Sequence, residues 1–173
     1  MGELYDKVRK DRTALEKLTD IIPGWGGYQE RQSRRHADKV LRQTLAEKLA
    51  NQRKRLETAQ KDLVNQGKID LVDDLGSAVT QLQTFIDRVR FASYGYAGLF
   101  DAVKIREAEL AQIYSFDAAL FDYVDRLDTA NDRLREAIET DQGIEETIRI
   151  MQDICREANS TFSEREHVIL GTV

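Results

Sequence analysis

Glu164-Arg-Glu-His167 sets a carboxylate and an imidazole three residues apart, the spacing that puts both on one face of a helix and that di-iron bundles use to ligate metal. Such a site needs a second pair of this kind and two further inward carboxylates. The other histidine, His36, has Ser33 three residues before it, and its segment offers no seam-facing glutamate. Glu164 and His167 are therefore a lone candidate pair, and His167 reads as a surface histidine near a helix C-terminus. No cofactor is expected.

A second group that could do chemistry is Asp117, Asp122, Asp125, Asp128 and Asp132. Paired carboxylates serve acid–base catalysis or calcium binding, but these lack the loop glycine and the one-apart spacing of an EF-hand. They read as a solvated helix face. Cys155 falls between Met151 and Ala158 on an apolar stripe, which predicts an inert core thiol rather than a nucleophile. No serine–histidine–aspartate set, phosphate-cradling glycine loop, zinc spacing or nucleotide fingerprint accompanies them. The expectation is a protein without catalytic activity.

Basic residues form a third group: Arg31, Arg34, Arg35, Lys39 and Arg42, followed by Lys48, Arg53, Lys54 and Arg55. They wrap a helix rather than forming one stripe, and Glu30, Asp38, Glu47 and Glu57 interrupt them. Residues 28–61 hold ten Lys/Arg against four Asp/Glu, whereas residues 62–173 hold eleven against 22, within a net charge of −5. Two outcomes fit: internal pairing of the basic helix with acidic neighbours, or presentation of a basic face to an acidic partner. Nucleic acid is disfavoured by the overall acidity and by the lack of interleaved aromatics. An anionic membrane surface fits better, because Ile21-Ile22-Pro-Gly-Trp25 could insert apolar groups beside these charges.

The elements that position these residues follow from composition and periodicity. In 173 residues there is one proline, Pro23, and charged residues make up 33%, a profile of long helices in one domain. Leu4, Val8, Leu15 and Leu18 predict a short amphipathic helix at about 2–21. Pro23 and the glycines at 24, 26 and 27 then make a turn. From Tyr28 to Gln66, Leu41, Leu45, Leu49, Gln52, Leu56, Ala59 and Leu63 alternate in steps of four and three, a heptad seam that ends before Gly67. Gln52 is its polar exception, either setting register or sitting partly exposed.

Further seams run through Val72, Leu75, Val79, Leu82, Ile86 and Val89, through Ile113, Leu120, Leu127 and Leu134, and through Ile144, Ile148, Met151, Cys155, Ala158 and Phe162. They predict helices at about 69–103, 107–139 and 142–169. The first of these continues through Gly95 and Gly98 on phase alone, although each glycine costs roughly 1 kcal/mol relative to alanine. Together they predict an all-α, up-down antiparallel bundle of four long helices with a short N-terminal helix. A long hairpin that completes its core by dimerising is the alternative.

Alternating directions gather the starts of the second and fourth helices and the ends of the third and fifth at one pole. That pole collects Trp25, Tyr28, His36, Tyr94, Tyr96, Phe100, Tyr114 and Phe116 beside the glycines. Aromatics there either plug the bundle end or form a pocket or docking surface for a partner.

The string from Ile22 to Arg42 resembles a segment of uncharacterised bacterial all-helical proteins, and Tyr94-Gly-Tyr-Ala-Gly-Leu-Phe-Asp101 adds a second point of likeness. The resemblance implies no activity or ligand. The N-terminus has no apolar leader, and the lone cysteine fits a reducing compartment, which predicts a cytoplasmic protein. The expected function is an interaction or scaffold protein that binds another protein or itself. A peripheral membrane-surface protein and a small-ligand or metal-binding bundle are the alternatives.

Overall fold

The computed structural model describes residues 14–27, 34–92 and 107–170. Residues 14–21 are helical and are called α1; then come α2 (Arg34–Asn65), α3 (Ile69–Phe91), α4 (Glu107–Thr140) and α5 (Ile144–Leu170). Among the described residues there is no strand, and the fold is all-α as expected. The expected start of α2 at Tyr28 and the continuation of α3 through Gly95 and Gly98 lie outside the described residues. None of the described helices is long and apolar enough to cross a membrane.

Two turns make two hairpins. At the end of α2 the Lys68 N–H donates to the Leu63 carbonyl (3.0 Å) and the Gly67 N–H to the Val64 carbonyl (3.0 Å), with Gly67 at φ +73°. This is the Schellman pattern, and glycine adopts its left-handed residue without strain. The end of α4 repeats the outer bond, Gln142 N–H to Ala137 carbonyl (3.0 Å), but the left-handed position is held by Asp141 at φ 56°. Three-residue connections of this kind force α2 against α3, and α4 against α5, in opposite directions.

The seams bury as their spacing demands. Leu41, Leu45, Leu49, Leu56 and Leu63 of α2, Leu75 and Leu82 of α3, Leu120, Leu127 and Leu134 of α4, and Ile148, Met151 and Cys155 of α5 are all at most 2% exposed. Each large side chain removed from water in this way contributes roughly 1.5–3 kcal/mol.

Helix directions alternate along the chain, and the lateral order follows from the contacts between elements. α2 packs against α3 and α4, and α5 packs against the same two, so α2/α5 and α3/α4 stand on the diagonals. Gln52 meets Asn131, and Gln66 donates to the Ile138 carbonyl (3.3 Å), so numbers rise together and α2 runs parallel to α4. Likewise Gln152 reaches the Asp74 carbonyl, Asn159 the Gln81 carbonyl, and Arg88 reaches Glu166, which makes α3 parallel to α5. The molecule is thus two antiparallel hairpins laid side by side in the same orientation.

Candidate functional site

The pole where α2 and α4 begin and α3 and α5 end is built first by residues 14–27. Leu18 (0%), Ile22 (3%) and Trp25 (7%) are buried. Lys17 pairs with Asp122 on α4, so this segment lies along that helix. The Trp25 indole N–H donates to the Ala37 carbonyl of α2 (2.9 Å), and its ring meets Tyr114 of α4 edge-on, centroids 6.0 Å apart. Gly27, at φ +74°, passes so close that a Cβ there would sit 2.7 Å from the Tyr114 hydroxyl. Only glycine fits between.

Beneath this aromatic contact lies a cluster of four charges. Arg165 of α5 is 1% exposed, Asp117 of α4 0%, Asp38 of α2 2% and Arg42 of α2 6%. Arg165 donates from Nε to Asp117 (2.6 Å) and from Nη2 to Asp38 (3.2 Å), reaching across the bundle diagonal. Asp38 takes Arg42 Nε on its other oxygen (2.7 Å), and Arg42 Nη1 donates to the carbonyls of Val89 (3.2 Å) and Arg90 (3.0 Å). Those carbonyls belong to the last turn of α3, where helical acceptors lack intrahelical donors. Two guanidinium groups and two carboxylates sum to zero charge, and the cluster touches all four long helices. Buried charges persist when they are paired and hydrogen-bonded in this manner.

The arrangement corrects several expectations. Arg42, expected on the basic face, is interior, because its charge is drawn to Asp38 and to the α3 carbonyls. Asp117, expected on a solvated acidic face, is also interior, whereas Asp122, Asp125, Asp128 and Asp132 are exposed. Arg165 was not singled out by its sequence context. Seam spacing nonetheless carries the signal: three residues beyond Phe162 is Arg165, and three before Leu41 is Asp38. Each seam read one step further ends on a charge, the two are of opposite sign, and they meet at one pole.

Other candidates are dispersed. His36 and Lys39 are exposed, Tyr114 is buried and Phe116 half-buried. Arg34 and Arg35 lie on the first turn of α2, and Tyr28, Arg31, Tyr94, Tyr96 and Phe100 lie outside the described residues. Glu164 and His167 are exposed on α5, with His167 Nδ1 3.0 Å from the Ser163 carbonyl. Among the described residues no group of three or more His, Cys, Asp or Glu side chains could hold a metal ion. Ile22 and Trp25, which membrane insertion would require at the surface, are packed inside the protein. Cys155 is buried, and burial pushes its thiol up to about 12.

No protein-family model matches the chain, and no match was found among curated proteins or solved structures.

Much of the remaining charge is spent within the molecule. Arg55 of α2 bonds Asp128 (2.6 Å) and Asp132 (2.5 Å) of α4, Lys68 pairs with Asp141, and Arg126 of α4 bonds Glu157 of α5 (2.7 Å). The Glu157 bond raises the Arg126 pKa above its ordinary value, against a smaller opposing effect of burial. Arg88 on α3 donates to Ser163 (2.8 Å) and Glu166 (2.8 Å) while its guanidinium stacks 5.0 Å from the Phe162 ring. At the same end of α3 one large apolar side chain goes the other way: Phe91 is 66% exposed, although Phe85 is fully buried.

Proposed function

We propose that this is a non-enzymatic helical interaction protein of the cytoplasm, binding another protein or a second copy of itself at the pole where α2 and α4 begin. The observation that carries this reading is Phe91, an aromatic side chain left 66% exposed on the last turn of α3. Large aromatics presented on rigid elements are the usual anchors of protein interfaces, because they bring much contact area at little conformational cost. The helix end that carries Phe91 is held by Arg42 through the carbonyls of Val89 and Arg90, so the anchor is presented in a fixed place. The buried four-charge cluster supplies rigidity rather than reactivity.

Two measurements test it together. Sedimentation velocity reports self-association, and capture with the tagged protein, repeated with Phe91→Ala, reports a partner. Binding that the alanine variant loses by about tenfold or more, at unchanged thermal stability, is expected for a central aromatic anchor. A strict monomer that retains no partner, or a partner held equally by Phe91→Ala, would count decisively against this function.

A further inference from the structure

The apolar seams that join the two hairpins are nearly repetitive. Leu41, Leu45, Leu49, Leu56 and Leu63 on α2 face a helix carrying Leu120, Leu127 and Leu134 at the same heptad interval. Leucine against leucine packs almost as well after a slip of seven residues, so such a seam stabilises association without fixing register. Each hairpin is also closed locally by its own three-residue turn and carries its own buried ion pair, Asp38 with Arg42 in one and Asp117 with Arg165 in the other. The apolar seam of either half does not by itself dictate how it must meet the other.

Two buried polar layers distinguish one register, while the bonds of Arg55 to Asp128 and Asp132 and of Arg88 to Glu166 cross the same boundary nearer solvent, where they are screened and weaker. In the middle of the bundle Gln52 (8% exposed) and Asn131 (4%) face each other. Asn131 Nδ2 donates to Gln52 Oε1 (2.9 Å) and to the Gln52 carbonyl (3.3 Å), while Gln52 Nε2 donates to Asp128 Oδ1 (3.0 Å). A slip of one heptad would set Gln52 against Val124 or Ile138 and Asn131 against Leu45 or Ala59, all buried apolar positions. Gln52 would then be buried without its Asn131 and Asp128 partners, and Asn131 would keep at most a main-chain carbonyl, a costly condition for buried amides. At the pole, the bond from Arg165 to Asp38 (3.2 Å) spans the same boundary and would be lost in the same slip.

We infer that the Gln52–Asn131 pair, with the Arg165–Asp38 bond, is a register device that keys the two hairpins of one chain to each other and bars the hairpin of a second copy from taking that place in a shifted pairing. The device selects among packings rather than adding net stability, since a buried amide pair is replaceable by apolar side chains of similar volume.

The test compares the native chain with Gln52→Leu/Asn131→Leu and with Gln52→Leu alone. Each is made with and without a reporter pair, Arg55→Cys and Asp132→Cys, joined by a short bismaleimide. With the amides intact, cross-linking is expected within one chain, and light scattering gives a single molar mass. The double variant is expected to remain helical with a denaturation midpoint at or above that of the native chain, yet to lose the intrachain cross-link in favour of interchain species and to show mixed molar mass. The single variant, which leaves Asn131 only its bond to the carbonyl of residue 52, is expected to unfold earliest. A double variant with the native cross-link and the native molar mass overturns the inference, and so does a double variant that fails to fold, because the pair would then be a source of stability. None of these readouts depends on Phe91 or on a partner, so failure here and failure of the proposed function are separable.

Discussion

Arg165 holds a full positive charge at 1% exposure, tolerable only because Asp117 and Asp38 meet it at hydrogen-bonding distance. Removing one member of such a set is far more damaging than never having it, since the opposite charge stays buried. Arg165→Met is therefore expected to lose about 3–5 kcal/mol in chemical denaturation, whereas replacing Asp38, Arg42, Asp117 and Arg165 together by apolar residues costs much less. A mild Arg165→Met phenotype would mean that water enters the cluster. Cys155 gives a second test. Its folded pKa is raised to about 12, so its contribution to stability is fully present below the ordinary thiol range and is lost as pH rises through that value. Native protein at pH 8 is expected to resist a thiol reagent until denaturant is added, and rapid modification of the folded chain would contradict the buried placement.

At the scale of elements, the two turns do the same work with unequal residues. Gly67 accepts the left-handed conformation freely, while Asp141 holds it with a side chain that costs strain and gains an exposed ion pair to Lys68. Such pairs contribute only several tenths of a kcal/mol, so Asp141→Gly is expected to raise stability slightly, by about 0.5 kcal/mol, while Gly67→Ala lowers it by about 1 kcal/mol. Melting curves of the two variants should move in opposite directions. The helices themselves were legible in the sequence because apolar residues recur on heptad steps for several turns; the predicted end at about 139 and the observed Thr140 differ by one residue. Asp117 and Arg42 were not legible by type, since a charged side chain reads as solvent-facing until its partner is known. For Asp117 that partner sits on another helix, 48 residues away; Arg42 has its carboxylate four residues back on α2, and what sequence could not show is the α3 carbonyls that draw it inward.

For the whole molecule, the division of charge along the chain resolves partly into pairs between basic α2 and acidic α4, at Arg55 with Asp128 and Asp132. Lys17 and Lys68 add further links to Asp122 and Asp141. These pairs are partly exposed and screened, so raising salt to about 1 M is expected to change unfolding free energy by less than about 1 kcal/mol. A larger loss in a salt titration would show that surface pairing, not the core, holds the hairpins together. Alternation of helix direction could be argued from short turns, but which helices would be lateral neighbours could not, because heptad seams do not name their partners. That choice has an electrostatic consequence. With α2 beside α4 and α3 beside α5, equal ends of the helix macrodipoles stand together instead of cancelling across each contact. Each pole of the bundle is divided into a half that favours anions and a half that favours cations. A partner of the kind proposed would meet, at the Phe91 end, two helix starts on one side and two helix ends on the other, and so a preferred rotation.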